Sequence, residues 1–209
     1  MNTQEIQKLL IKPAIKQLKG DFRIVKGTFL VKYPIEDIIT GFCFERSSDK
    51  NDFYLWTFAQ PLYQLDNIIY LSFGDRIKNK NRRESWSFMN TSSFNKNTIE
   101  ELISALQNNL GFVEKMRNPE KFFLHYEDRL KTISNWRSIE TLVYTSFWLK
   151  KSNAKIDAVA LVKYIEKNDD LSLDWVKQCR DSLQELVNCD DPIAILQKNK
   201  EQTIKNLKL

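Results

Sequence analysis

The chain has 209 residues, 42% hydrophobic and 28% charged, and a net charge of +5. That composition belongs to a folded protein rather than a disordered one, and the length suffices for one large domain or two small ones. One histidine, three cysteines without a CxxC pair and five glycines without a GxxxxGK[ST] or GxGxxG loop exclude several site classes. These are His-rich metal centres, Cys-based zinc sites and the familiar nucleotide-phosphate loops.

The opening segment Thr3 to Lys19 places Ile6, Leu9, Leu10, Ala14 and Leu18 on one helical face, with a kink or break expected near Lys12 because of Pro13. Gly20 is a natural stop. Phe22 to Lys26 and Thr28 to Tyr33 predict short strands around Gly27, and Ile38 to Glu45 a third. Ser47 to Asp52 is a polar turn expected to make a hairpin with the next strand. In that strand Phe53, Leu55 and Thr57 alternate with Tyr54, Trp56 and Phe58, so both faces are rich in apolar and aromatic groups. Such a strand is covered on both sides, or covered on one and used for binding on the other. Pro61 points to a sheet edge or loop, and Gln60-Pro61 and the loop after Arg76 are expected to mark the exposed ends of the sheet. Ile68 to Phe73 predicts another strand, and Glu84 to Met89, with Trp86 and Phe88, a last one.

The Asn/Ser-rich stretch 89 to 97 marks the expected boundary between a 1–96 sheet domain and a 97–209 helical domain. Thr98 and Glu101 have capping-box spacing. Ile99, Leu102, Ile103, Leu106 and Leu110 form the inward stripe of the helix they open, with Gly111 expected to end it. Asn118-Pro119 starts another helix with Phe122, Phe123, Tyr126 and Leu130 inward. Further helices are expected over 138–150, 154–167, 173–188 and 192–207. In the 173–188 helix, Val176, Cys179, Leu183, Leu186 and Val187 make a 3–4 stripe. The fold class is therefore α+β: an N-terminal helix packed on a mainly antiparallel sheet, then an all-helical half built as a bundle or as helical hairpins.

No run of apolar residues approaches the roughly 18–20 needed to span a bilayer, and MNTQEIQKLL has neither the basic start nor the apolar run of a signal peptide. A cytoplasmic protein without a membrane partner is expected. The excess positive charge sits in one loop, where Arg76, Lys78, Lys80, Arg82 and Arg83 follow one another with no acid between them. Residues 97 to 209 are balanced. With Trp86 and Phe88 beside it, this loop is the candidate binding site for nucleic acid or an acidic protein partner. Closely spaced cations neutralise phosphates, and aromatics stack on unpaired bases. A solvated loop between strands is the plainer interpretation.

Other chemistry is thinly represented. His125 has no serine or cysteine nucleophile beside it and fits a partly buried helix position. The acidic pairs Glu36-Asp37, Glu100-Glu101, Asp169-Asp170 and Asp190-Asp191 mostly stand at expected helix starts, where carboxylates meet free N–H groups. No Asp or Glu is followed two positions on by Lys, which argues against nucleases built on that pairing. Cys43, Cys179 and Cys189 fit structural positions. The helices 154–167 and 173–188 have helix-turn-helix spacing, but Asp174, Asp181 and Glu185 oppose insertion into DNA, and a plain hairpin is preferred. No catalytic residue, metal or cofactor is implied.

The order helix, short strands and then FYLWTFAQPLYQLDNIIYLSFGDR, with its Phe-x-x-x-x-x-x-Gln-Pro-Leu-Tyr and Phe-Gly-x-Arg elements, resembles small uncharacterised bacterial α+β proteins over about residues 1 to 80. Such proteins accompany multi-gene systems, anti-phage operons among them, as accessory components. The resemblance implies a non-catalytic accessory or adaptor subunit that docks a larger protein. The alternative is a nucleic-acid-binding module using residues 76–83.

Overall fold

The computed structural model describes residues 3–49, 52–87, 96–131 and 136–209, and its chain divides into two compact units. The first takes Met1–Gln60, Ile68–Asn118 and Leu207–Leu209; the second takes Pro61–Asn67 and Pro119–Asn206. This division differs from a simple cut after residue 96. Seven residues from within the expected sheet domain join the second unit, and the helices of residues 96–116 join the first.

In the first unit, α1 (Thr3–Ile6), a π-helical turn (Gln7–Ile11) and α2 (Lys12–Ile15) follow without interruption. The expected break near Lys12 is instead a change of hydrogen-bond register, with the Lys12 N–H donating to Gln7 O. One wide turn directly before a proline that has no N–H to give lets the helix continue past it. Strands β1 (Phe22–Val25), β2 (Phe29–Lys32), β3 (Ile38–Arg46), β4 (Asp52–Pro61) and β5 (Ser85–Ser87) form one sheet in sequence order. Its registers run antiparallel, pairing Leu30 with Phe42 and Phe53 with Trp86.

One face of this sheet carries Leu30, Phe42, Phe44, Phe53 and Leu55 into a core with Ile6, Leu10, Ala14, Leu102, Leu106 and Val113. The last three come from α3 (Lys96–Asn108) and α4 (Leu110–Met116). Period-2 alternation in the strands meets 3–4 spacing in the helices, which is why these residues share one interior. Lys32 Nζ lies 2.7 Å from Glu114, and Arg117 pairs with Glu36 and donates to Pro34 O, so α4 is also tied to the sheet side by charge.

Three expectations in this unit need correction. Ile68 to Phe73 is not a strand. The chain after it runs along β4 instead, with Ala59 N–H donating to Phe73 O, Thr57 N–H to Asp75 O and Ile77 N–H to Leu55 O. This close approach needs Gly74, because a Cβ there would lie 2.0 Å from Thr57 O. Gln60 is not an exposed end; its buried side chain donates to Ile68 O and accepts from Tyr70 N–H, replacing the ladder that a strand would have supplied. Gly111 does not end a helix. The break falls at Asn109, whose side chain donates to Ala105 O, and Gly111 lies inside α4.

Thr98's side chain lies outside the described residues, as do Phe88 and positions 89–95 of the expected linker. The helix starts upstream of Thr98, at Lys96. Glu101, its expected capping partner, instead accepts from Lys80 N–H.

The second unit contains α5 (Pro119–Tyr126), a 3₁₀ turn (Glu127–Lys131), α6 (Trp136–Trp148), α7 (Ala154–Asn168), α8 (Asp174–Asn188) and α9 (Pro192–Leu207). Ten consecutive residues of α6, Ser138 to Phe147, are buried, so this helix is the unit's centre. A helix buried all round is normally apolar all round. Here it carries Ser138, Glu140, Thr141, Thr145 and Ser146, and that mismatch points to the site described next.

Candidate functional site

Segment Pro61–Asn67 enters the helical unit as an irregular strap held by side chains. Tyr63 stacks on Trp148 with centroids 4.9 Å apart and donates to Thr145 Oγ1 at 2.9 Å. Thr141 donates to Gln64 Oε1 at 2.8 Å, and Thr203 donates to Gln64 O at 3.0 Å. The Asp66 N–H donates to Thr203 Oγ1, and Asn206 donates to Asp66 O. Thr203 and Asn206 of α9 thus satisfy backbone groups of a segment without a helix ladder of its own, while Thr141 and Thr145 of α6 hold its side chains.

Beside the strap lies a cavity of about 420 Å³, bounded by Gln64 to Asn67, by Arg137, Glu140 and Tyr144 of α6, by residues of α8 from Trp175 to Leu186, and by Ile195, Asn199 and Asn206 of α9. This volume is within the range of small-ligand sites, about 300–1,000 Å³, though the lining is far more polar than usual.

Glu140 is its centre. It is 4% exposed, and its Oε2 accepts no hydrogen bond among the described residues. Arg137 Nη1 lies 3.5 Å from that oxygen, an ion pair too long to be a good hydrogen bond. Burial raises the Glu140 carboxyl above its ordinary range, against hydrogen bonding with Cys179, then the charge and hydrogen bonding of Arg137, and last hydrogen bonding with Gln64. Burial, and then the charge of Glu140, push Asp66 up to about 6. The Cys179 thiol and the Tyr144 hydroxyl are raised by burial first and by Glu140 second, so both stay protonated at neutral pH.

At the rim, Trp136 and Trp175 stand parallel, centroids 5.7 Å apart, and the Arg137 guanidinium lies 4.4 Å from the Trp175 ring centre. Trp175 is 46% exposed despite its size. The arrangement offers hydrogen-bond acceptors, negative charge and an aromatic face. The raised Cys179 and the absence of histidine from the lining give it no activated nucleophile.

The basic loop is built differently from the expectation. Arg76 packs on the outer face of β4, its guanidinium 4.1 Å from the Tyr54 ring centre and 4.7 Å from that of Trp56, and pairs with Glu84 at 3.0 Å. Trp56 in turn donates to Glu45. Lys80 gives its backbone N–H to Glu101 Oε1 at 2.9 Å and sets its Nζ 3.5 Å from Oε2. Trp86 is buried against Phe53 and donates its indole N–H to Ile77 O, so it cannot stack on a base without leaving the core. Lys78, Arg82 and Arg83 remain exposed, with no acidic partner among the described residues. Asn79 shapes their loop by accepting from Asn81 and Arg83 N–H groups and donating to Ser85 O.

The remaining candidates have structural positions. His125 is exposed on α5 rather than partly buried, with its ring edge-on to Tyr126. Burial lifts the Cys43 thiol to about 12. Asp191 accepts from Ala194 N–H at the start of α9, and Asp170 accepts from Ser172 N–H. Among the described residues no group of three or more His, Cys, Asp or Glu could hold a metal ion, and no helix is long and apolar enough to cross a membrane.

The polar cavity was not singled out from the sequence, yet the run SIETLVYTSF carried a signal for it. A glutamate and four serines and threonines in an otherwise largely apolar helix either face water or serve a buried polar site.

Fold and site together define an α+β chain with a polar cavity in its helical unit. No known protein family, curated protein or solved structure matches the chain.

Proposed function

We propose that this protein is a non-catalytic accessory subunit that docks a larger protein partner, taking a side chain of that partner into the cavity of its helical unit. The observation that carries this reading is the polar cavity of about 420 Å³ in the helical unit, lined by Asp66, Arg137, Glu140 and Trp175 among others. The exposed Trp175 at the same mouth is the residue type that anchors interfaces. The proposed setting is the one implied by the resemblance of residues 1 to 80, a bacterial multi-gene system of the anti-phage kind.

The test is affinity purification from the native host with two variants beside the wild type. Gln178→Trp fills the cavity and should lose the partner; Arg82→Glu with Arg83→Glu should keep it. A partner that survives the filled cavity overturns the reading, as does turnover of nucleotide or nucleic acid by the purified chain with metal present.

A second reading, nucleic-acid binding, is favoured by one observation, the three exposed cations Lys78, Arg82 and Arg83 on a loop shaped by Asn79. Retention of nucleic acid by the wild type and its loss from the Arg82/Arg83 variant would support it.

A further inference from the structure

We propose that a second cavity of the helical unit, beside the turn from α6 to α7, binds an amphipathic anion, a small molecule with an apolar body and one acidic head. The inference stands apart from the polar cavity and from the docking reading.

This cavity measures about 400 Å³ and is bordered by Phe147, Ala154, Pro192 and Ile193 together with Lys150, Lys151 and Lys155. Phe147 and Ala154 are buried and Pro192 and Ile193 half-buried, while Lys150 and Lys155 are exposed, so apolar groups lie beneath a cationic rim. Among the described residues none of the three lysines has an ion-pair partner, and Lys151 Nζ lies 4.5 Å from the Phe123 ring centre instead. The one carboxylate on the lining, that of Asp191, is already engaged by the Ala194 N–H.

The two halves of this lining select one class of occupant. Inorganic phosphate would use the lysines and leave the apolar groups wet. An uncharged hydrocarbon would cover the apolar groups and leave three like charges without a counter-charge. A molecule with an apolar body and an anionic head uses both, and the volume falls within the range of small-ligand sites, about 300–1,000 Å³. Lysine is a point charge on a flexible stem, suited to a single acidic head without demanding the paired geometry that arginine imposes.

Lys150 adds a separate observation. The Lys150 N–H donates to Phe147 O and the Lys151 N–H to Ser146 O, the paired bonds of a Schellman motif closing α6. Lys150 occupies its left-handed position, with φ of 54°, where glycine carries no Cβ penalty and is the usual residue. A lysine there gives up local stability and places a cation at the cavity mouth.

Isothermal titration calorimetry of the full chain with octanoate, octan-1-ol and acetate tests the pairing of charge and apolar body. Octanoate is expected to bind at least about tenfold more tightly than either control, and to weaken as salt is added. Amide chemical-shift changes should be confined to residues 147–155 and 191–193. Lys150→Gly suits the left-handed backbone and should keep or raise the melting temperature, yet weaken octanoate about threefold; adding Lys155→Gln should bring the loss to about tenfold.

Octan-1-ol or acetate matching octanoate overturns the inference, as do undiminished affinity in the double variant, shifts centred elsewhere, or no saturable octanoate binding below about 3 mM. Tighter binding of acetyl-Gly-Gly-Leu, whose terminal carboxylate adjoins an apolar side chain, would overturn the small-molecule assignment in favour of a protein C-terminus.

Discussion

Tyr63 donates its hydroxyl hydrogen to Thr145 Oγ1 at 2.9 Å across 82 positions of sequence, and Thr145 passes its own hydrogen to Thr141 O at 2.7 Å. A tyrosine that begins just past a β-strand thereby anchors the strap that walls the cavity. Tyr63→Phe keeps the stacking on Trp148 and removes only the hydroxyl, for an expected loss of about 1 kcal/mol. Tyr63→Ala removes the ring as well and should cost about 3–5 kcal/mol. Urea unfolding followed by far-UV circular dichroism measures both. Equal losses for the two variants would show that the ring contributes little beyond the hydrogen bond.

Two glycines should respond oppositely to alanine. At Gly74 the new methyl would meet Thr57 O at 2.0 Å, and backbone rather than a flexible side chain stands in its way. Gly74→Ala should therefore destabilise by about 2 kcal/mol or more. A Cβ at Gly111 would meet nothing within 4 Å beyond the backbone of its own helix, so Gly111→Ala should stabilise by up to about 1 kcal/mol. Thermal melts of the two proteins check the pair.

Asp66 sets a pH dependence whose sign can be worked out. Its unfolded carboxyl titrates near the ordinary 3.8, and its folded one near 6, raised first by burial and then by Glu140. Between these values the folded state holds more protons than the unfolded one, so stability falls as pH rises. The contribution is fully present below about pH 4 and lost above about pH 6, and Glu140 acts in the same direction. Allowing for solvent at a partly exposed carboxylate, the Asp66 effect is about 1–2 kcal/mol. Asp66→Asn should flatten the fall in denaturation midpoint between pH 4 and 7. An unchanged slope would place the raised proton elsewhere.

The basic loop contributes fewer free charges than its sequence suggests, because Arg76 and Lys80 already face Glu84 and Glu101. If duplex DNA binds there, three exposed cations limit the slope of log affinity against log salt to about −2.7. Replacing Lys78, Arg82 and Arg83 by glutamate should abolish that binding and leave the melting temperature unchanged. Fluorescence anisotropy across a salt series measures the slope, and a value well beyond this limit would mean that other residues take part.

The class of fold was legible because burial imposes periods. Alternation in Phe53 to Phe58 and the 3–4 stripe of Leu102, Ile103 and Leu106 each point one face inward, and both faces are found buried. Residues 68–73 were misjudged for a related reason. Their β-branched and aromatic content suits a strand, but the hydrogen bonds go to a glutamine side chain ten positions away, which no local pattern records. Trp86 stood beside the basic loop in sequence, and only the pairing of Phe53 with Trp86 reveals that it turns into the core. The cavity needed more still. Asp66, Glu140 and Cys179 come from three separate stretches, and their nearness follows from packing rather than spacing.

The strap Pro61–Asn67 also governs how this protein can be taken apart. A gene split between residues 118 and 119 would put all the helices of the second unit on one polypeptide and their seven-residue strap on the other. The C-terminal fragment alone would lack the strap groups that Thr141, Thr145 and Thr203 bond, Tyr63 and Gln64. Co-expression of the two fragments should restore them through non-covalent complementation, with the strap acting as the tether between the halves.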